Sequence, residues 1–110
     1  MRKVGKMKAL VYIVFSSREE MREELEENRD KMLAYCNQKD YIPLVVLEVV
    51  GSGHIQREAG KEKILQLARK RMIDVVVLSD LIMLDYNNSD VNSLLEILEG
   101  YNVKVDIANL

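Results

Sequence analysis

Four short apolar runs alternate along this chain with three segments patterned like amphipathic helices. That alternation limits the available folds more than any other feature. The runs are Ala9 to Phe15, Ile42 to Val50, Asp74 to Leu78 and Val103 to Ile107. The first three are nearly unbroken in β-branched and aliphatic residues, the pattern of strands covered on both faces in a parallel sheet. The fourth alternates apolar and polar residues, which places it at an edge with one face wet. Pro43 fits only near the start of its strand, where a missing N–H costs little.

The intervening segments carry helical spacing. The first helix is predicted from Arg18 to Gln38, with Met21, Leu25, Met32, Leu33 and Cys36 on one face. Ser17-Arg18-Glu19-Glu20 reads as its capping box, and Glu23, Glu24, Glu26 and Glu27 line its solvated side. A second helix is predicted over Glu58 to Arg71, with Ile64, Leu65, Leu67 and Ala68 inward. A third starts at Ser89 or Asp90, turns Val91, Leu94, Leu95 and Leu98 inward, and ends at Gly100 as a left-handed terminator. The order β-α-β-α-β-α-β predicts a three-layer, doubly wound α/β domain with a mostly parallel four-stranded sheet. At 110 residues this is one domain. Residues 1–7 read as a flexible basic tail, and Gly51 to Gly60 as a linker-like loop.

Charge and cysteine count narrow the function. Sixteen Lys and Arg against eighteen Asp and Glu leave a net charge of −2, so any contact with DNA must come from a local patch. One cysteine excludes an internal disulfide framework and a multi-cysteine zinc site, and fits a reduced, cytoplasmic setting. No apolar run approaches a membrane span, and the basic start MRKVGKMK leads into no cleavable signal pattern. With no Trp and one Phe, the core is aliphatic.

In doubly wound folds, ligands bind beyond the carboxyl ends of the strands. Those ends lead here into Ser16-Ser17, Gly51-Ser52-Gly53 and the stretch Ser79 to Asn88. A hydroxyl at a helix start suits a phosphate, but Ser17 is already explained as a cap, which leaves Ser16 the less explained of the two. Gly51-Ser52-Gly53 is either an anion-binding loop or an ordinary turn. His54, the one histidine, has no ligand-spaced neighbours and reads as a loop residue. Cys36 reads as a small core residue. Asp80 and Asp85 read as solvated loop residues rather than a metal site. No metal or other cofactor is expected.

These pieces together resemble the N-terminal catalytic domain of resolvase/invertase-type serine recombinases. That family opens with a strand ending Tyr-x-Arg-x-Ser, against Tyr12-Ile13-Val14-Phe15-Ser16 here. It follows its second strand with an acidic residue, Ser-Gly and an Arg before a helix. The counterpart here runs from Glu48 through Ser52 and Gly53 to Arg57, one residue shorter than usual between Ser52 and Arg57. Its third loop, Leu-Asp-Arg-Leu-x-Arg-Asn followed by Asp, corresponds to Leu81-Ile82-Met83-Leu84-Asp85-Tyr86-Asn87 and Asp90. The similarity spans about Lys8 to Ile107.

The resemblance implies Ser16 as the nucleophile that attacks a DNA phosphodiester and Arg57 as a phosphate-stabilising group. Tyr12, Ser52 and Gly53 would lie on the substrate side. It also implies DNA as the partner and a role in site-specific recombination, as in mobile elements. Val14, Met83 and Tyr86 stand where the family has arginines, so the expected cleavage is negligible. Family members continue into a long dimerisation helix and a DNA-binding domain, which 8–110 does not include, so the expected DNA affinity of this chain alone is weak or nil. Ile82, Met83 and Tyr86 suggest an apolar surface for self-association. Two other readings stay open: a working catalytic fragment that cuts DNA with Ser16, and a small α/β domain binding a phosphate-bearing ligand at Ser16, Ser52 and Arg57.

Overall fold

The computed structural model describes residues 6–15, 22–51, 54–81, 84 and 87–108. The order is β1 (Lys8–Phe15), α1 (Arg22–Gln38), β2 (Ile42–Val50), α2 (His54–Arg69), β3 (Val75–Leu78), α3 (Asn88–Gly100) and β4 (Lys104–Ile107). The strands form one sheet in the order β2-β1-β3-β4, and every neighbouring pair is parallel. The chain is therefore the α/β domain that the alternation predicts.

Strand alternation sorts the core into two layers. Leu10, Tyr12, Val76 and Leu78 face α2 and α3, and pack with Ile64, Leu67, Ala68, Val91, Leu94 and Leu98. Ala9, Val11, Ile13, Val75 and Val77 face α1, where Met32 and Cys36 are buried. Cys36 is thus the core residue its place on the helix predicts, and burial, helped by the Asp106 charge, pushes its thiol pKa up. Ala9 to Ile13 of β1 and all of β3 are buried, as their unbroken apolar runs require.

β2 departs from expectation. Its sequence reads as covered on both faces, yet it is an edge strand, and Ile42 and Leu44 are 43% and 47% exposed. A continuous apolar run reports side-chain chemistry, not rank within the sheet. The start of β2 is also irregular. Ala9 pairs with Pro43 and Leu10 with Val45, so Leu44 is skipped in a bulge beside the residue that has no N–H to offer.

Helix ends differ from the glycine-based reading as well. Gly100 remains within α3, and the left-handed position falls on Asn102 (φ 62°). Asp40 (φ 63°) and Arg71 (φ 57°) hold the same place after α1 and α2. In each case the left-handed residue donates to the carbonyl three back and the next residue to the carbonyl five back. The pairs are Asp40 to Asn37 and Tyr41 to Cys36, Arg71 to Ala68 and Met72 to Leu67, and Asn102 to Glu99 and Val103 to Leu98. One Schellman-type stop is used three times, without glycine. Arg71 is exposed and gains nothing from its left-handed backbone. Arg71→Gly is expected to stabilise the domain by about 0.5–1 kcal/mol, the steric relief less the added chain entropy. A shift of the urea midpoint to higher concentration checks this, and a shift to lower concentration contradicts it.

β4 lies at an edge, as its alternating pattern predicts, but the face carrying Asp106 is not simply wet. Tyr35 of α1 donates to Asp106 Oδ1 (2.7 Å), and Tyr41, just before β2, donates to Oδ2 (2.5 Å). The Lys39 ammonium stands over the Tyr35 ring and that of Lys104 over the Tyr41 ring, 5.6 and 5.4 Å from the centroids. Burial pushes the Asp106 pKa up, but the two phenol donors with Lys39 and Lys104 outweigh it and hold the carboxyl below its ordinary value. Tyr35 is pushed up to about 12, first by its bond to Asp106 and then by burial; burial and the same carboxylate raise Tyr41. A lowered carboxyl pKa stabilises the fold above the unfolded value and loses that stabilisation as pH falls through the folded one. Asp106→Asn is therefore expected to cost about 1–2 kcal/mol at neutral pH. That cost should shrink as pH drops below about 4. Denaturant melts of both proteins from pH 7 to pH 2.5 test it, and a gap independent of pH contradicts it.

Candidate active site

In this strand order, the connections leaving β1 and β3 run to opposite sides of the sheet. The crevice at their carboxyl ends is therefore the switch point where doubly wound folds place their ligands. On β1, Tyr12 and Val14 both face α2 and α3, with Val14 one pleat nearer the carboxyl end. Ser16 and Ser17 follow the strand but lie outside the described residues, as do Ser52, Gly53, Ile82, Met83, Asp85 and Tyr86. The capping box at Ser17 and the proposed apolar loop surface fall there as well.

α2 closes the site from above. It begins at His54, four residues before the predicted start, so His54 is helical and Gly51 to Gly60 is mostly not a loop. Only the start of that stretch departs from helix in the described residues, and Gly51 carries the left-handed φ of 100° there. Gly60 reads in sequence as loop punctuation. It is instead a close-approach residue inside the helix, because a Cβ at Gly60 would collide with the Tyr12 hydroxyl and come within 3.0 Å of its ring.

That contact sets the rest of the wall. Along α2 the positions facing the sheet are Arg57, Gly60, Lys61, Ile64, Leu67 and Ala68, a helical stripe at three- and four-residue steps. Arg57 is 7% exposed and is the one buried polar or charged side chain among the described residues. The Tyr12 ring and hydroxyl are fully buried, and the hydroxyl has no hydrogen-bond partner among the described residues. Burial pushes the Tyr12 pKa up, while the positive charges of Arg57 and Lys61 oppose the shift, so both cations act on this hydroxyl. Tyr12 and Arg57 are thus both buried on this side of the sheet, near enough for the Arg57 charge to act on the Tyr12 hydroxyl.

Val14 is different. It is half-buried and packs against the apolar cluster on the α2 face, two residues beyond Tyr12. Glu48, matched in sequence to the family's acidic residue, points the other way and pairs with Arg29 of α1 (3.6 Å), on the face away from Tyr12. The third loop contributes Leu84, fully buried, and Leu81, packed against the same cluster. Asn87 caps α3, its side chain accepting from the N–H groups of Ser89 (2.9 Å) and Asp90 (3.3 Å), one residue earlier than the predicted start. Asp80 is exposed.

Sequence reading missed Gly60 and Lys61. Both follow from extending the Ile64 stripe back one turn, but Gly60 reads in sequence as the end of a loop and Lys61 as a solvated position. Lys61 is 13% exposed and its Nζ lies 2.7 Å from Glu58 Oε2. With Glu58 it lines an open groove of about 260 Å³ between α2 and α3, bounded also by Glu62, Asp90, Ser93 and Ile97. No helix among the described residues is long and apolar enough to cross a membrane.

Comparison with known proteins agrees with this architecture. No curated protein matches the chain. The catalytic domain of ISC1926 TnpA, an IS607-like serine recombinase, superposes with a TM-score of 0.79 at 25% identity, covering 92% of this chain and 67% of that one. A resolvase-family site-specific recombinase from Streptococcus pneumoniae gives 0.72 at 27% identity, over 93% and 72%. The N-terminal catalytic domain of TP901-1 integrase shares the fold at 14% identity, with a TM-score of 0.76 over 93% and 77%. The family model described as the resolvase N-terminal domain matches residues 9–110, and with a four-stranded parallel α/β fold shared by two serine recombinases at a quarter identity, the chain belongs to the resolvase family.

Proposed function

We propose that this domain holds a DNA phosphodiester at the carboxyl end of β1 without cutting it at a useful rate. In this reading Ser16 occupies the nucleophile position and Arg57 contacts a phosphate oxygen. Tyr12, Ser52 and Gly53 line the substrate side. The observation that carries the reading is Val14, an aliphatic side chain packed into the apolar cluster beside Tyr12, where the family's strand carries an arginine.

The physical reason is the charge that phosphoryl transfer develops. Serine attack on a phosphodiester passes through a transition state with negative charge spread over the phosphoryl oxygens. Preorganised cations must meet that charge, and loss of one such donor typically costs about 10² to 10³ in rate. Arg57 is in place, but neither Val14 nor Met83 and Tyr86 of the third loop can supply charge. Ground-state binding needs less, because one or two cations suffice to attract a phosphate. The result is weak, salt-dependent association with slow chemistry.

Fluorescence anisotropy with a labelled duplex of random sequence tests the binding half. The expected outcome is a weak complex that salt dissociates and that Arg57→Gln weakens by roughly tenfold, the size of one charged contact. An Arg57→Gln protein that binds as the wild type does would contradict it.

A further inference from the structure

The inward stripe of α2 breaks the usual rule of apolar burial in its first two turns. Ile64, Leu67 and Ala68 are ordinary core residues, but the two turns before them place Arg57 and Lys61 on the sheet side with Gly60 between. Charged groups turned toward a core are costly unless they have a task. The fully buried Tyr12 hydroxyl lies against Gly60, feels both positive charges, and has no hydrogen-bond partner among the described residues. The first turns of α2 thus set two cations beside a buried phenol on the sheet face that Val14 continues toward the carboxyl end of β1.

The Lys61 ammonium is held by the Glu58 carboxylate, three residues back on the same helix, at 2.7 Å. Glu58 is half exposed at the mouth of the α2–α3 groove. A carboxylate gripping a half-buried lysine offers the same oxygens that a phosphate would. An intrahelical pair with one exposed partner is weak, so a phosphodiester that also reaches Arg57 can displace it.

We propose that Lys61 is a second phosphate-binding residue of this site, held in the free protein by Glu58 as an internal substitute for the phosphodiester and handed to DNA on binding. The inference rests on the DNA-holding reading given above. It assigns Lys61 a role in holding the phosphate and Glu58 a restraining one.

The test is anisotropy titration of the 110-residue chain with a random-sequence duplex at several salt concentrations, using Lys61→Met, Glu58→Gln, the double variant and Arg57→Gln. Lys61→Met is expected to weaken binding roughly tenfold and to reduce the salt slope by about one. Glu58→Gln is expected to tighten binding about threefold or more where Lys61 is present and by less than about twofold where it is absent, because the gain comes from releasing that lysine. Circular dichroism of each variant confirms the fold. If Lys61→Met leaves affinity and slope unchanged while Arg57→Gln weakens binding, the role of Lys61 is overturned and the DNA-holding reading stands. If Glu58→Gln tightens binding equally with and without Lys61, the effect is one of net charge and the restraint is overturned. If Arg57→Gln has no effect, the underlying reading fails and this inference with it.

Discussion

Replacing Gly60 with alanine is expected to destabilise the domain by about 1–3 kcal/mol, the usual cost of overpacking a core. The sign is informative, because helix propensity alone predicts the reverse. Glycine within a helix is worse than alanine by up to about 1 kcal/mol, so an uncrowded Gly60 would yield a more stable protein. The structure decides against that outcome. An added Cβ meets the Tyr12 hydroxyl and comes within 3.0 Å of Cε1 and 3.1 Å of Cζ. Tyr12 cannot retreat, because it is fully buried on β1, which has a strand bonded on either side. The helix must move instead, carrying Arg57 away from the switch point. Tyr12→Phe removes the atom that collides first, so in the Gly60→Ala background it should recover part of the loss. Urea denaturation of the two single variants and the double variant measures the coupling. A Gly60→Ala protein more stable than the wild type would show that α2 does not press on Tyr12.

The second large effect concerns catalysis. A variant carrying Val14→Arg, Met83→Arg and Tyr86→Arg together is expected to cleave DNA at least about 10⁴-fold faster than the wild type, the combined order of two or more restored charge-stabilising donors. Val14→Arg alone is expected to recover little, since groups that act as a unit are strongly non-additive. It also removes an apolar side chain from the cluster around Tyr12, so some loss of stability accompanies it. The rate is read as accumulation of protein-bound DNA on nicked duplexes of random sequence, with Ser16→Ala in the same background as the control. No increase in the triple variant would mean that missing charge is not what limits this site.

Much of the fold was legible because it rests on local periodicity. The α1 residues Met32 and Cys36, the α2 residues Ile64, Leu67 and Ala68, and the α3 residues Val91, Leu94 and Leu98 are buried where helical spacing put them. The edge position of β4 also follows from its pattern. What failed was tertiary in origin. The outer position of β2 depends on which strand its neighbours choose, which no run of valines records. The helix stops at Asp40, Arg71 and Asn102 replace the glycine that the pattern favoured, because three successive backbone bonds can hold a non-glycine residue left-handed. Asp106 looked like an exposed alternating position, but two tyrosines distant in sequence close over it.

The site was legible in part. Tyr12 and Arg57 stand 45 positions apart in sequence, yet both are buried and the Arg57 charge acts on the Tyr12 hydroxyl. Gly60 and Lys61 were missed because a glycine after a loop-like stretch reads as punctuation, whereas its task is to let a helix approach a tyrosine. Glu48 was matched by spacing to an acidic position, but strand alternation turns it to the α1 side. Spacing can place a residue at the end of a strand, but the parity of the strand decides which face it serves.

Covalent capture tests the central claim most directly. The unmodified chain is incubated with a pool of nicked random-sequence duplexes, denatured, and resolved on a gel beside Ser16→Ala. On the proposed reading Arg57 lacks the other arginines that the family's pattern sets around the phosphate, so the two lanes should be indistinguishable, with reversible binding and no protein-linked DNA. A band present in the unmodified chain and absent in Ser16→Ala would show that this pocket stabilises the transition state after all.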